Sequence, residues 1–203
     1  MSWTAPRTYA TNEVVTSSIL NTDHRDNLSA ILHPYNYAPS DVDVVSTITE
    51  TSVYSKVITG GDLGSNGLAK LMLICDALYN NSTANTLTLR FKFGGSSVLA
   101  GVQSGTLSAS RRVIHIELCV ANRGATNSQL VWASGFAALG SPLVGIGNSQ
   151  LLQDQSYFPL GLQNTVAVDT TADQTLEVTA EWSASSANNS FRKRLGILHL
   201  GQN

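Results

Sequence analysis

A chain of 203 residues can form one all-β domain with its own hydrophobic core and still leave a short additional segment. Charged residues make up only 13% of it, against roughly 25% in an ordinary soluble domain, and the net charge is -2 with a pI near 6.0. This charge gives no reason to expect nucleic-acid binding, and no apolar run approaches the roughly 18 residues of a membrane-spanning helix. Such a polar but nearly uncharged surface is typical of proteins that bury much of it against copies of themselves.

Residues 1–15 are predicted to form an extended arm. Trp3, Pro6 and Tyr9 are aromatic or rigid residues spaced three apart, which suits an arm that lies in a groove on another surface. The arm lacks the charged and then apolar order of a signal peptide, so we expect cytoplasmic synthesis.

A short helix is predicted to follow the arm. Thr16 is a plausible N-cap, and His33–Pro34 ends the helix because a residue before proline avoids the α region. An isolated helix of about four turns is marginal in water, so its apolar stripe is expected to pack on the body of the protein or on a partner. The stripe consists of Ile19, Leu20, Leu28, Ile31 and Leu32.

The sequence changes character after residues 35–41, which are predicted to be a linker. The segment 42–59 is rich in Val, Ile and Thr, which suits strands. The continuous apolar run at 68–79 predicts a strand buried on both faces, and its periodicity alone does not exclude a short helix.

Alternation of apolar and polar residues predicts strands at 86–93, 111–124 and 175–182. Further strands are predicted at 96–101, 129–139 and 195–200, which gives about eight strands with no alternating helices. We therefore predict an all-β jelly roll or β-sandwich at 35–203, preceded by the arm and helix at 1–34. The side chains predicted to point into its core include Leu87, Leu89, Phe91, Phe93, Ile114, Ile116, Leu118, Val120, Trp132, Leu176, Val178, Ala180 and Trp182.

One predicted strand carries side chains that zinc accepts as ligands. His115, Glu117 and Cys119 alternate along it and so share one face. No second cluster completes a four-ligand site, so we predict no metal and no cofactor, and interpret this face as solvated or subunit-facing. Cys119 and Cys75 both lie in apolar runs, and in a protein made in the cytoplasm we expect buried thiols rather than a disulfide.

Catalytic arrangements are absent from the sequence pattern. There is no G-x-S-x-G motif, and an enzyme would need the face of His115 to meet His199 and a carboxylate. Glu177 and Glu181 are four residues apart in a strand, about 13 Å at ~3.3 Å per residue, which exceeds the ~5–9.5 Å of a glycosidase pair. We therefore predict no enzymatic activity and no catalytic residue.

Two further features each have a structural and a functional interpretation. The basic run 191–195 and the pair Arg111–Arg112 hold too few charges for strong nucleic-acid binding, and are predicted to be solvated or paired with acids of a neighbouring subunit. The segment 135–163 is predicted to be the longest irregular region, and exposed loops on a rigid β scaffold often carry ligand-binding surfaces. Its candidate ligand residues are Phe136, Leu143, Tyr157 and Phe158.

About the first thirty residues resemble the N-terminal segment of many tailed-phage and prophage structural proteins. The shared pattern is a Trp, a Pro-Arg-Thr-aromatic step, a Glu-Val-Val-Thr turn, then Leu-Asn-Thr and Arg-Asp-Asn-Leu. The β-rich remainder resembles, less specifically, the jelly-roll modules of virion surface proteins, which usually form homotrimers. The matching positions in this chain are Trp3, Pro6–Tyr9, Glu13–Thr16, Leu20–Thr22 and Arg25–Leu28.

This resemblance implies a homotrimeric capsid decoration or head-fibre component on the virion surface, in contact with major capsid or tail proteins and with neither nucleic acid nor membrane. One alternative is a tail-fibre or tail-tip protein whose segment 135–163 binds a host receptor. Another is a soluble carbohydrate-binding jelly roll, which would require exposed aromatic residues on a strand face or loop. The docking residues expected in the arm and helix are Trp3, Pro6, Arg7, Tyr9, Val14, Val15, Ile19, Leu20, Leu28, Ile31 and Leu32.

Overall fold

In a computed structural model of the protein, the structure describes residues 14, 16–20, 35–79, 85–104, 111–138, 155–157 and 162–201. One short helix, α1, spans Ser17–Leu20, and twelve strands follow it in this part of the chain. The strands are β1 (Tyr35–Ala38), β2 (Val42–Val45), β3 (Thr51–Ile58), β4 (Leu68–Tyr79), β5 (Thr86–Phe93), β6 (Ser96–Ser104), β7 (Arg112–Asn122), β8 (Gln129–Ala138), β9 (Gln155–Tyr157), β10 (Leu162–Val166), β11 (Gln174–Trp182) and β12 (Asn189–Gly201).

The strands form two sheets that pack face to face. The large sheet has eight strands in the order β1-β12-β4-β7-β8-β10, with β2 also paired to β12 and β9 to β8. The small sheet has the order β3-β11-β5-β6. Every strand pairing in the described ranges is antiparallel. The chain is therefore an all-β sandwich, as predicted, and no described helix is long and apolar enough to span a membrane.

The core lies between the two sheets and is built by strict alternation along β5, β7 and β11. The inward residues predicted on these three strands are all buried, which confirms the predictions for them. Burying each large apolar side chain contributes about 1.5–3 kcal/mol, so this row of alternating residues dominates the stability of the fold. Trp182 lies edge-on to Tyr79 with ring centroids 5.2 Å apart, and its indole N–H donates to the carbonyl of Val44 at 3.1 Å.

The predicted linker at 35–41 was wrong in part, because residues 35–38 form β1 at the edge of the large sheet. Tyr35 pairs with His199 and Ala38 with Gly196. Four residues are enough for a strand here because they pair with the backbone of β12. That partner is distant in sequence, so the local sequence does not reveal it. The short strands β2, β9 and β10 likewise raise the number above the eight or so that were predicted.

The apolar run 68–79 forms one long strand, β4, which confirms the strand and excludes the helix. Its inward residues are almost completely buried, from Ala69 to Tyr79. The prediction that both faces are buried was only partly right, because Met72, Ile74 and Leu78 on the other face are half-buried and Lys70 is exposed.

Most of the predicted arm and helix lies outside the described residues. Val14 is 79% exposed, and Thr16, Ser17 and Ser18 are also exposed. α1 contains the predicted helical positions 19 and 20. Among the described residues, the hydrophobic core and the apolar residues packed against it lie between Ala38 and Leu200. The predicted docking residues outside the described ranges are Trp3, Pro6, Arg7, Tyr9, Val15, Leu28, Ile31 and Leu32.

One end of the sandwich is held together by a buried polar network. Gln129 Nε2 donates to Asn122 Oδ1 at 2.8 Å, and Gln129 Oε1 accepts from the amide of Val168 at 2.8 Å. Asn122 Nδ2 donates to Thr170 Oγ1 at 2.8 Å and to the carbonyl of Gly64 at 2.5 Å. The network therefore joins the turn 59–67, the β7–β8 turn and the segment before β11, which fixes three loops relative to one another.

Candidate interaction surface

Trp132 points outward, contrary to the prediction that it would face the core. Its neighbours along β8, Val131 and Ala133, are 0% and 1% exposed, whereas Trp132 is 36% exposed. Because side chains alternate along a strand, the burial of both neighbours requires Trp132 to face the opposite way. On this outer face Trp132 lies between Cys119 of β7 and Gln163 of β10.

The outer face of the large sheet carries a number of apolar side chains among its polar and charged ones. Central strands expose half-buried aliphatic side chains there, and the exposed residues include Tyr37 at 61% and Val113 at 51%. Together these residues form an apolar band across β1, β12, β4, β7 and β8 and their neighbour β2. The apolar residues of this face are Tyr37, Val45, Met72, Ile74, Leu78, Val113, Trp132, Leu195 and Ile197.

Charged side chains on this face are paired within the chain. Asp76 is 6% exposed and accepts from Arg111 at 2.5 Å and from Arg194 Nε at 2.5 Å. Arg194 also reaches Asp41 at 2.6 Å, since a bulge between Lys193 and Leu195 adds a residue to β12.

Arg192 of the same basic run pairs with Asp43, and Lys70 pairs with Glu117 across β4 and β7. These arginines were predicted to be solvated or to pair with a neighbouring subunit. They instead find acids of their own chain, because β2 and β4 flank β12. The pairing with Asp43 keeps the pKa of Arg192 above its ordinary value.

The outer face of the small sheet has a different character. Glu50 accepts from Lys92 at 2.5 Å and from Thr179 at 2.6 Å, and Arg90 bridges Glu181 and Glu50. The hydrogen bond from Lys92, followed by that from Thr179, lowers the pKa of Glu50. The centre of this face is thus a charged cluster that water screens, and its exposed valines lie on the two edge strands.

The predicted metal-ligand set does share one strand face, but its members have other surroundings. Cys119 is 3% exposed, and burial raises the pKa of its thiol, while Glu117 is paired with Lys70. Within the described ranges no group of three or more His, Cys, Asp or Glu residues is placed to hold a metal ion. Cys75 is also a buried free thiol with its pKa raised by burial, which confirms the prediction of two unpaired cysteines.

The two strand histidines share this outer face but do not meet. His199 pairs with Lys70 and His115 with Ile74, so four residues and two strand spacings separate them. That geometry places them about 16 Å apart, given ~3.3 Å per residue and ~4.8 Å per strand. The catalytic arrangement that would have required His115 and His199 together is therefore not formed.

The candidate ligand segment 135–163 is less irregular than predicted. Its first residues complete β8, and Phe136 pairs with Tyr157 of β9 through the backbone. Leu143 and Phe158 lie outside the described residues, so the four predicted ligand residues stay a prediction.

Neither family models nor curated proteins match the sequence of this chain. Among solved structures it is similar to the CBM2 module of an evolved Dit from Lactobacillus casei BL23 phage J-1, with 10% identity and a TM-score of 0.34 over 73% of this chain and 69% of that one. It is also similar to the lectin UEA-II complexed with galactose, with 9% identity and a TM-score of 0.36 over 83% of this chain and 93% of that one. At these identities and TM-scores neither likeness carries an argument about function.

Proposed function

We propose that this chain is a non-enzymatic structural protein of the bacteriophage virion surface. In this proposal it is a homotrimeric capsid decoration or head-fibre component, and residues 1–34 dock it on major capsid or tail proteins. The role requires no cofactor, catalytic group, membrane or nucleic acid. The N-terminal pattern from Trp3 to Leu28 suggests the virion, and the sandwich would project outward from it.

The observation that carries the proposal is the N-terminal sequence pattern, with aromatic and apolar residues such as Trp3, Tyr9 and Leu28. In the part of the chain that the structure describes, the core extends from Ala38 to Leu200, and Val14, Thr16, Ser17 and Ser18 of the segment are exposed. In this proposal the apolar and aromatic residues of the segment pack against another virion surface instead of the sandwich core. Aromatic anchors such as Trp3 and Tyr9 commonly contribute about 2 kcal/mol or more each to an interface.

Deletion of residues 2–33 tests this proposal. We expect the truncated protein to keep its β-sheet circular dichroism spectrum and cooperative unfolding but to lose attachment to virus particles. A second variant is the full chain with Trp3→Ala and Tyr9→Ala. It should fold normally and bind particles at least tenfold more weakly. Unfolding of the truncated protein would contradict the proposal, because the segment would then belong to the core.

The exposure of Trp132 supports a second candidate, a carbohydrate-binding surface on the large sheet. A half-exposed indole next to the exposed amide of Gln163 offers a flat apolar surface beside hydrogen-bonding groups. Isothermal titration with host cell-wall polysaccharide would detect this activity. Trp132→Ala should abolish binding, whereas Val57→Ala on the small sheet should leave it unchanged. No heat of binding with the unmodified protein would remove this candidate.

A further inference from the structure

We propose that the outer face of the large sheet is the surface on which a second copy of this chain packs. The inference deepens the proposed function and rests on it, since it names the surface through which the homotrimer would assemble. Three features of the described residues support it. Apolar side chains on this face are incompletely buried, its charged side chains are paired within the chain, and its area is close to that of a stable interface.

The first feature is that the centre of the large sheet is apolar on both sides. Met72 and Ile74 lie on β4, between β12 and β7, with Ile197 beside them on β12. All three are only half-buried. A central strand with apolar residues on both faces is typical of a sheet covered on both sides, and among the described residues the small sheet covers only one side. Covering this face would remove further apolar area from water at roughly 25 cal/mol per Å².

The second feature is the pairing of the charges on this face. Asp76 is neutralised by Arg111 and Arg194, while Lys70 is neutralised by Glu117. A strongly charged partner would find no free charge to match among these groups. Three copies that turn this face toward a threefold axis each bring the same paired charges and the same apolar band, so their contact brings together no unpaired like charges.

The third feature is the size of the face. Six strands in the path from β1 to β10 span about 25–29 Å at ~4.8 Å per strand, and about eight residues of each central strand span ~26 Å. The projected area of roughly 600–750 Å² is close to the ~800 Å² per partner of a standard stable interface. The outer face of the small sheet has fewer strands and a charged centre, so burying it would require desolvating Glu50, Arg90 and Lys92.

A pair of matched valines makes the test sharp. Val113 on the proposed face is 51% exposed, and Val57 on the outer face of the small sheet is also 51% exposed. We would prepare the full chain as Val113→Glu and, for control, as Val57→Glu. Tyr37→Glu, at the 61% exposed edge of the proposed face, serves as a second variant if Val113→Glu folds poorly.

The measurement is molar mass by light scattering over a range of concentrations. We expect the unmodified protein to approach 64.8 kDa, which is three chains of 21.6 kDa. Val113→Glu should shift the association midpoint at least tenfold to higher concentration, because it places a second carboxylate opposite Asp76 in the contact, where it must be desolvated. Val57→Glu should leave the midpoint unchanged.

Two results would overturn the inference. One is an equal shift for Val113→Glu and Val57→Glu. The other is a mass of 21.6 kDa at every concentration for the unmodified protein, which would mean that another segment or partner covers the face. A monomer that still attaches to particles would refute this surface and leave the virion proposal standing. An oligomer that never attaches to particles would support this surface and refute the virion proposal.

Discussion

The ring of Tyr54 lies against the backbone of Gly196 and joins the two sheets of the sandwich. Tyr54 is on β3 of the small sheet and Gly196 is on β12 of the large sheet. A Cβ atom at position 196 would lie 2.8 Å from Cδ2 and 2.9 Å from Cε2 of Tyr54, and 3.2 Å from Cδ2 of Leu73. Glycine is required here because the aromatic ring occupies the space that any side chain would need.

Gly196→Ala is therefore expected to destabilise the protein by about 1–3 kcal/mol through overpacking. The matched control is Gly201→Ala on the same strand, where the nearest atom to the added methyl group would be 3.9 Å away. Urea unfolding of both variants checks this. Equal stability of the two variants would mean that the Tyr54 ring moves aside without penalty.

The buried phenol of Tyr54 predicts a loss of stability in alkali. Burial raises the pKa of Tyr54 to about 12 and also raises the pKa of Tyr79. The unfolded chain releases these protons near pH 10, before the folded chain does. The contribution of the two tyrosines is thus complete below about pH 10 and falls as the pH rises toward 12, by up to about 1.4 kcal/mol per pH unit for each tyrosine. It adds to a loss that the buried thiols of Cys75 and Cys119 begin at lower pH, because burial raises the pKa of each above its ordinary value.

Chemical unfolding between pH 8 and 11.5 measures this loss, with Tyr54→Phe as the comparison. The Phe variant should lose stability less steeply above pH 10, because Tyr54 no longer contributes while Tyr79, Cys75 and Cys119 still do. At pH 8 it should be as stable as the unmodified protein or slightly more so, since the Tyr54 hydroxyl is buried without a hydrogen-bond partner among the described residues. Parallel pH profiles would show that Tyr54 is not the titrating group.

Asp76→Asn is expected to lower the free energy of unfolding by about 1–3 kcal/mol. The change keeps the side-chain shape but leaves Arg111 and Arg194 facing each other with no anion between them. The loss stays moderate because the arginine side chains are 34% and 40% exposed and water screens them.

Asp41→Asn is the matched control for this prediction. Asp41 also pairs with Arg194, but its side chain is 46% exposed, so the loss should stay within about 0.5 kcal/mol. Denaturant titration at pH 7 compares the two variants. A larger loss for Asp41→Asn would place the important ion pair at the surface instead.

Gln129→Leu is expected to cost about 2–4 kcal/mol although the two side chains have similar size. Gln129 is 1% exposed, and its loss leaves Asn122 Oδ1 and the amide of Val168 buried without partners. Gln163→Leu on exposed β10 is the control and should change stability by less than about 0.5 kcal/mol. Thermal melting followed by circular dichroism suffices, and similar melting temperatures would rule out a stabilising network.

Alternation along the chain was enough to determine the sandwich and most of its core. Leu87 to Phe93 and Leu176 to Trp182 are buried as their pattern predicts, because a residue's face in a strand depends only on its parity. The same alternation could have predicted that Trp132 faces outward. Val131 and Ala133, its apolar neighbours, take the inner face of β8, so an outward tryptophan follows from the pattern once the inner set is identified.

What the sequence by itself determined was the class of fold, while the division between the N-terminal segment and the sandwich stays a prediction. Only the tertiary structure decided which strands are neighbours, and with them the strand β1, the partners of Arg192 and Arg194, and the separation of His115 from His199. The physical reason is that the burial of a residue depends mainly on its own polarity and on its position in the alternation along the strand. Strand order depends on contacts between residues as far apart as Asp41 and Arg194, and no local pattern encodes them.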